Sequence, residues 1–156
     1  MRSILHLLHR YTAATMLFFA AILFAACRHA DTHDQLEAVI DSFATHYYNW
    51  QFRQALSYCT SESEPWLRFA ASNVQQSDID ILRAQGRGAS HQINDIRFDA
   101  GDSTALVSLT VYHYLRMDTI GRAGQIADKA SFLLPVVHRN GQWLVHLTAF
   151  PRGIFR

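Results

Sequence analysis

Cysteine is nearly missing from this chain: 156 residues hold two, Cys27 and Cys59. Two cysteines allow one bridge at most, so no multi-disulfide framework staples the fold. An excess of either charge is missing too. Of the 14 basic side chains, Arg2 and Arg10 fall in the first ten residues, which leaves 12 against 13 acidic ones from residue 27 on. A nucleic-acid partner would call for a concentrated basic footprint, and none is present. There is no Cys-x-x-Cys, no His-Glu-x-x-His and no Gly-x-Ser-x-Gly, so the common zinc and serine-nucleophile signatures are missing. Gly86-Arg87-Gly88 and Gly121-Arg122-Ala123-Gly124 are glycine-containing turns without the strand-to-helix setting of a phosphate loop. Arg87 and Arg122 could meet an anion, although surface arginines usually meet only solvent. Strands do not alternate with helices and no segment repeats, which disfavours doubly wound and solenoid folds.

The N-terminus carries a clear signal. Residues 1–10 carry Arg2 and Arg10 and no acid, and residues 11–26, YTAATMLFFAAILFAA, carry no charge. A basic start, a short apolar run and small residues before a cut are the parts of an export signal. The run is shorter than the roughly 20 residues that span a bilayer as a helix. A retained anchor would need Ile4, Leu5, Leu7 and Leu8, and His6, His9 and Arg10 interrupt that extension. Phe24-Ala25-Ala26-Cys27 resembles the bacterial lipobox, with Phe24 in place of the usual leucine. The resemblance implies cleavage after residue 26 and a lipid on Cys27. Two or more acyl chains would then hold the protein to a membrane, where one would not. The expected division is a signal peptide over 1–26, a tether over 27–32 bearing lipidated Cys27, one domain over 33–150 and a tail over 151–156.

The domain reads as helices first and strands second. Leu36, Val39, Ile40, Phe43, Tyr47 and Trp50 make one apolar stripe at helical spacing, and Phe52, Ala55, Leu56 and Cys59 continue it after a bend near Gln51. Cys59 is expected there as a small buried hydrophobe. Ser63-Glu64-Pro65-Trp66 reads as a fresh helix start, with Ser63 as cap and Trp66, Phe69, Ala70 and Val74 inward. A shorter helix follows Ser77, with Ile81 and Leu82 inward, and Gly86 and Gly88 end the helical half.

The period then changes. Residues 91–98 read as a strand, Asp99-Ala100-Gly101-Asp102 as a turn, and 104–116 as a long strand. Alternation puts Ala105, Val107, Leu109, Val111, His113 and Leu115 on its core face, and Leu106, Ser108, Thr110, Tyr112 and Tyr114 on the other. A hairpin tip is expected over 119–127. Residues 129–139 and 142–150 form the last two strands around Asn140-Gly141, a type I′ signal. That turn predicts Arg139 opposite Gln142, His138 opposite Trp143, Val136 opposite Val145 and Leu134 opposite Leu147. Pro135 belongs at a bulge or an edge.

Placed this way, the helix ending Tyr47-Tyr48-Asn49-Trp50, the segment Phe52-Arg53-Gln54-Ala55-Leu56 and the ending Asn140-Gly141-Gln142-Trp143-Leu144-Val145 resemble the NTF2-like superfamily. More narrowly, they are similar to the small NTF2-like lipoproteins of unknown function of Bacteroidota. The resemblance implies an α+β fold in which N-terminal helices pack on a curved antiparallel sheet of at least four strands, wrapped into a cone. The lipobox, through its resemblance to other bacterial lipoproteins, implies a cell-envelope location, at the outer membrane. The superfamily contains isomerases, dehydratases and cyclases beside binding and assembly domains, so fold alone chooses no function.

The residues weigh against catalysis. An isomerase-like site would need a carboxylate base facing hydroxyl donors in an apolar cone. Asp95, Tyr112, Tyr114 and His146 are the candidates, while tyrosines on long strands more often bury their rings and keep their hydroxyls wet. Among the nine histidines, His29 and His33 form only a weak pair, and His91, His113, His138 and His146 fall on separate strands. Neither a metal nor a cofactor is expected. The reading is a membrane-tethered, non-catalytic binding domain for a small molecule or an envelope protein. Tyr47, Tyr48, Tyr112, Tyr114 and His146 are its candidate contacts. The alternatives are an assembly component of an envelope complex and a cone-cavity enzyme.

Overall fold

The computed structural model describes residues 32–116 and 124–154, and the chain divides into two compact units, Met1–Leu36 and Glu37–Arg156. The expected signal peptide, Cys27 and Arg122 lie outside the described residues, as do residues 119–123 of the expected hairpin tip, while its last residues, 125–127, already belong to a strand. In the first unit, residues 32–36 are helical. Helix α1 covers 32–48, and in the second unit it buries Ile40, Phe43, Ala44 and Tyr48. It ends in a Schellman arrangement: Trp50 N donates to Tyr47 O at 3.1 Å and Gln51 N to His46 O at 2.9 Å. Trp50 takes the left-handed position, φ 61°, where glycine is usual. The indole repays part of that cost by donating from Nε1 to Leu115 O at 3.3 Å.

Helix α2 is Phe52–Ala55, followed by the 3-10 turns Leu56–Tyr58 and Ser61–Ser63; α3 is Glu64–Ser72 and α4 is Gln76–Ala84. Pro65 sits harmlessly in the first turn of α3, but Ser63 makes no cap bond there. Its hydroxyl goes to the sheet instead. The face of α3 also differs from expectation: Leu67 and Ala70 are buried and Phe69 is 46% exposed. The 3.6-residue period allowed either stripe, and the covering surface decides between them.

Strands β1 Ser90–Phe98, β2 Thr104–Arg116, β3 Gln125–Arg139 and β4 Gln142–Val145 form one antiparallel meander in that order. Asn140 at φ 52° and Gly141 at φ 79° make the expected turn, and the predicted pairs Arg139–Gln142, His138–Trp143 and Val136–Val145 all form. The Leu134–Leu147 pair does not, because β4 stops at Val145. Pro135 O still accepts from His146 N at 2.9 Å. Since N and O of one strand residue project to the same side, the donor proline lacks faces the place where β4 has ended, an edge in effect. Beyond β4 the backbone at Cys59 forms a parallel bridge to Val145. Past the end of β4, Ile154 exchanges both backbone bonds with Ser131, at 3.2 and 2.8 Å.

The sheet is neither closed nor strongly curled, which overturns the NTF2-like cone and the curved sheet expected from it. Strong curl needs repeated bulges or kinks on neighbouring strands. Here β2 and β3 keep one register from Thr104–Val137 to Arg116–Gln125. The single register shift, between Ile93 and Asp95, lies on edge strand β1, and β4 is four residues long. The coarser architecture, helices first and an antiparallel four-stranded sheet second, is the one observed.

Ala105, Val107, Leu109 and Val111 face inward as alternation requires. The rule breaks at His113, which has φ 51° and is exposed, so Tyr114 turns inward in its place. Leu134, Val136, Trp143, Val145 and Leu147 complete that inner face. Polar joints tie helices to strands. Asp78, fully buried in the first turn of α4, accepts Gln75 N at 2.8 Å and Gly124 N at 2.7 Å, capping its own helix and holding the start of β3.

Candidate functional site

The candidate contact residues end in three different environments. Tyr48 and Tyr114 are core. Their rings stand 6.0 Å apart, and both meet Phe132, at 4.8 and 5.5 Å. The Tyr48 hydroxyl has no hydrogen-bond partner among the described residues, and burial pushes it well above the usual phenol range. Tyr47 stacks on Phe43 at 5.1 Å, and burial raises its hydroxyl as well. Such phenols stay protonated and serve packing. Tyr112 lies on the outward face at the level of Ser90, half-buried.

Asp95 is also outward, paired with Arg97 at 2.7 Å. It sits on β1, and His146 follows β4, so three strand spacings of roughly 4.8 Å each separate them. The structure therefore brings together Tyr47, Tyr48 and Tyr114, with the Tyr47 and Tyr48 rings edge to face at 5.2 Å, and does not bring Asp95, Tyr112 or His146 to them.

His146 has a different set of neighbours. Its Nδ1 is 3.0 Å from Thr60 Oγ1, which is 3.0 Å from Ser63 Oγ. Ser63 donates to Val145 O at 3.1 Å and accepts from Leu147 N at 2.8 Å. The serine thus replaces the strand partner that β4 loses after Val145, which is why it is not free to cap α3. Thr60 N adds a bond to Val145 O at 2.9 Å. Nearby on the chain, the Cys59 thiol donates to Ala55 O at 3.4 Å, and burial pushes it up to about 12. It is a half-buried filler in extended backbone rather than on a helix. A thiol so far from its thiolate is a poor nucleophile.

An open cleft of about 250 Å³ is lined by Gln85, Gly86, Arg87, His113 and Ile126. Each part has a local cause. The loop after α4 is tied down on both flanks of Arg87. Gln85 Nε2 donates to His113 O at 3.3 Å. The Asn49 side chain clamps Ala89, accepting its N–H at 2.9 Å and donating to its carbonyl at 3.1 Å. A third bond, Asn49 Nδ2 to Thr45 O at 2.8 Å, fixes the clamp on α1. Gly88 sits under it, where a Cβ would come within 2.5 Å of Asn49 Oδ1.

On the strand side, the left-handed turn at His113 takes that residue out of the ladder between Tyr112–Lys129 and Tyr114–Ala127. Strained backbone held by its surroundings is a feature of binding and catalytic sites. Ile126, 41% exposed, supplies an apolar wall. Arg87 was visible in the sequence as part of Gly86-Arg87-Gly88. His113 was assigned to the core by alternation, and Gln85 and Ile126 carried no signal at all.

Chemically the cleft offers one permanent cation, one imidazole, one amide and an aliphatic surface. Among the described residues, its lining contains no carboxylate, thiol or hydroxyl. It can hold a ligand and orient it. Among the described residues, no helix is long and apolar enough to cross a membrane, and no three His, Cys, Asp or Glu side chains group as metal ligands would. No family model matches the chain, and no curated protein matches it either.

Proposed function

We propose that this chain is an exported binding domain, held at a bacterial envelope membrane by lipid on Cys27, that acts by non-covalent association. The observation supporting this most is the cleft: an opening whose lining can recognise a ligand and, among the described residues, offers no carboxylate, thiol or hydroxyl to transform it. The N-terminal sequence supports the tether, with an uncharged run over 11–26 ending in Ala25-Ala26-Cys27. The outer membrane is the expected address. Mass spectrometry of the mature N-terminus tests the anchor; an intact Met1 or an unmodified Cys27 would remove it. The binding role is tested by isolating the protein from its native membrane and identifying what accompanies it. A small molecule recovered unchanged supports the reading, whereas turnover of that molecule by the pure protein would replace it with an enzymatic one.

A second reading, an assembly component of an envelope complex, draws on the outward sheet face. Leu106 and Leu133 are 40% and 48% exposed there, with Pro135, Val137 and Leu144 half-buried on the same face. Exposed apolar surface of this kind is where protein partners dock. A stoichiometric membrane-protein partner that is lost on Leu133→Asp, and kept on changes in the cleft, would favour it.

A further inference from the structure

We propose that the cleft at Gln85, Arg87, His113 and Ile126 selects a small monoanionic amphiphile, a carboxylate carrying a short apolar tail. The inference rests on the binding reading above and gives that site its ligand class. Arg87 makes no hydrogen bond or ion pair among the described residues, although its loop is anchored at Gln85 and at Ala89. A guanidinium presented on a braced loop loses little freedom when it closes on a carboxylate, and its planar fork matches the two oxygens.

His113 faces the same opening and adds a ring N–H. The nearest acid in register, Asp128 on β3, forms no ion pair with it. Among the described residues, no acidic side chain lines the opening and none neutralises Arg87 there. A single fixed cation suits a single charge better than the doubly charged head of a phosphate. Ile126, left exposed beside these groups, would be covered by an aliphatic tail, and about 250 Å³ admits a short one.

The test is a ¹H–¹⁵N NMR titration of the full chain in detergent with three probes: hexanoate, 1-hexanol and inorganic phosphate. Hexanoate should produce saturable shifts at Gly86, Arg87, His113 and Ile126, at least tenfold tighter than either hexanol or phosphate. Arg87→Ala should weaken hexanoate at least tenfold. Arg68→Ala, which removes an exposed arginine already paired with Glu64, should change nothing. Ile126→Ser should weaken hexanoate and leave phosphate as it was. Hexanol binding as well as hexanoate, or Arg87→Ala keeping full affinity, would overturn the anion selectivity while leaving non-covalent binding at the cleft in place. Phosphate binding tighter than hexanoate would overturn the tail. If no probe saturates the cleft, the ligand class falls; the binding reading is then still judged separately, by what the native protein carries.

Discussion

Two polar regions join the helical half of this molecule to its sheet, and they are finished differently. At Thr60, Ser63 and His146 both hydroxyls and the His146 Nδ1 are hydrogen-bonded. Ser63 is fully buried, and its one hydroxyl serves both Val145 O and Leu147 N. At Gln85, Arg87 and His113 the surrounding backbone is held and the guanidinium is not: Gln85 holds His113 O and Asn49 holds Ala89, while Arg87 projects without a protein partner among the described residues. Burial explains the contrast. A buried donor or acceptor left alone costs about 1–3 kcal/mol, so the interior joint must be complete. An exposed guanidinium pays no such cost and can be kept open for something else. Completed polar joints therefore mark architecture, and open ones on braced backbone mark where a ligand can enter.

The completed joints should break hardest. Asp78→Ala removes the acceptor of two backbone N–H groups, Gln75 and the buried Gly124, and we expect roughly 3 kcal/mol of lost stability. Urea denaturation measures it, and a loss under about 1 kcal/mol would mean that water replaces the carboxylate. Ser63→Ala should come next, at about 1–3 kcal/mol, because it orphans Leu147 N and one bond of Val145 O. Hydrogen exchange at Leu147 should quicken in that variant ahead of exchange in β2.

What the sequence made legible follows the same division between local and distant causes. The Asn140-Gly141 turn needs positive φ at two adjacent residues, a property of those residues alone, and its register comes out as read. Tyr114 could not be placed that way. Its inward turn depends on the left-handed His113 before it, whose carbonyl is held by Gln85 from 28 residues away. Ser63 looked like a helix cap because Glu64-Pro65 follows it, but the early end of β4 claims its hydroxyl. Curl of the sheet was least legible, since alternation is identical in a flat and a wrapped sheet and only the placing of bulges distinguishes them. The cleft shares that difficulty: its lining comes from an inter-element loop and two strands, and only Arg87 stood in a recognisable local setting.

Thr60→Val should cost about 1 kcal/mol and report on proton order within the completed joint. With the Ser63 proton on Val145 O, Thr60 donates to Ser63 and the His146 ring donates from Nδ1 to Thr60. Ring ¹⁵N shifts should therefore show His146 as the Nδ1–H tautomer in its neutral form, and the preference should vanish in Thr60→Val. An Nε2–H ring in the parent would reverse the order. Weaker still is the exposed pair of Glu62 and Arg139. The arginine, hydrogen-bonded at 2.6 Å, is the largest cause, ahead of the backbone N–H of Glu62 itself, that lowers the Glu62 carboxyl from 4.5 to about 2. Its folded value lies below its unfolded one, so its contribution is present above pH 4.5 and fades as pH falls from 4.5 toward 2. Glu62→Gln should flatten the acid limb of a stability–pH curve only in that window, and salt should shrink the difference. Parallel curves for the two proteins would show that the pair adds nothing.

The smallest effect is the one on which the contrast depends. Arg87→Ala, measured without ligand, should move the unfolding midpoint hardly at all, within about 0.5 kcal/mol, as for an exposed side chain outside any buried network. The loop should also keep its place, because Gln85 and Ala89 rather than Arg87 tie it to His113 and Asn49. Exchange protection at Ala89 should match the parent, whereas Asn49→Ala should lose it. If Arg87→Ala instead cost as much as Ser63→Ala, the guanidinium would be a structural strut, and the distinction between finished and open joints would fail at its most informative residue. If stability holds while hexanoate affinity falls, the same side chain is shown to be dispensable to the fold and required by the ligand.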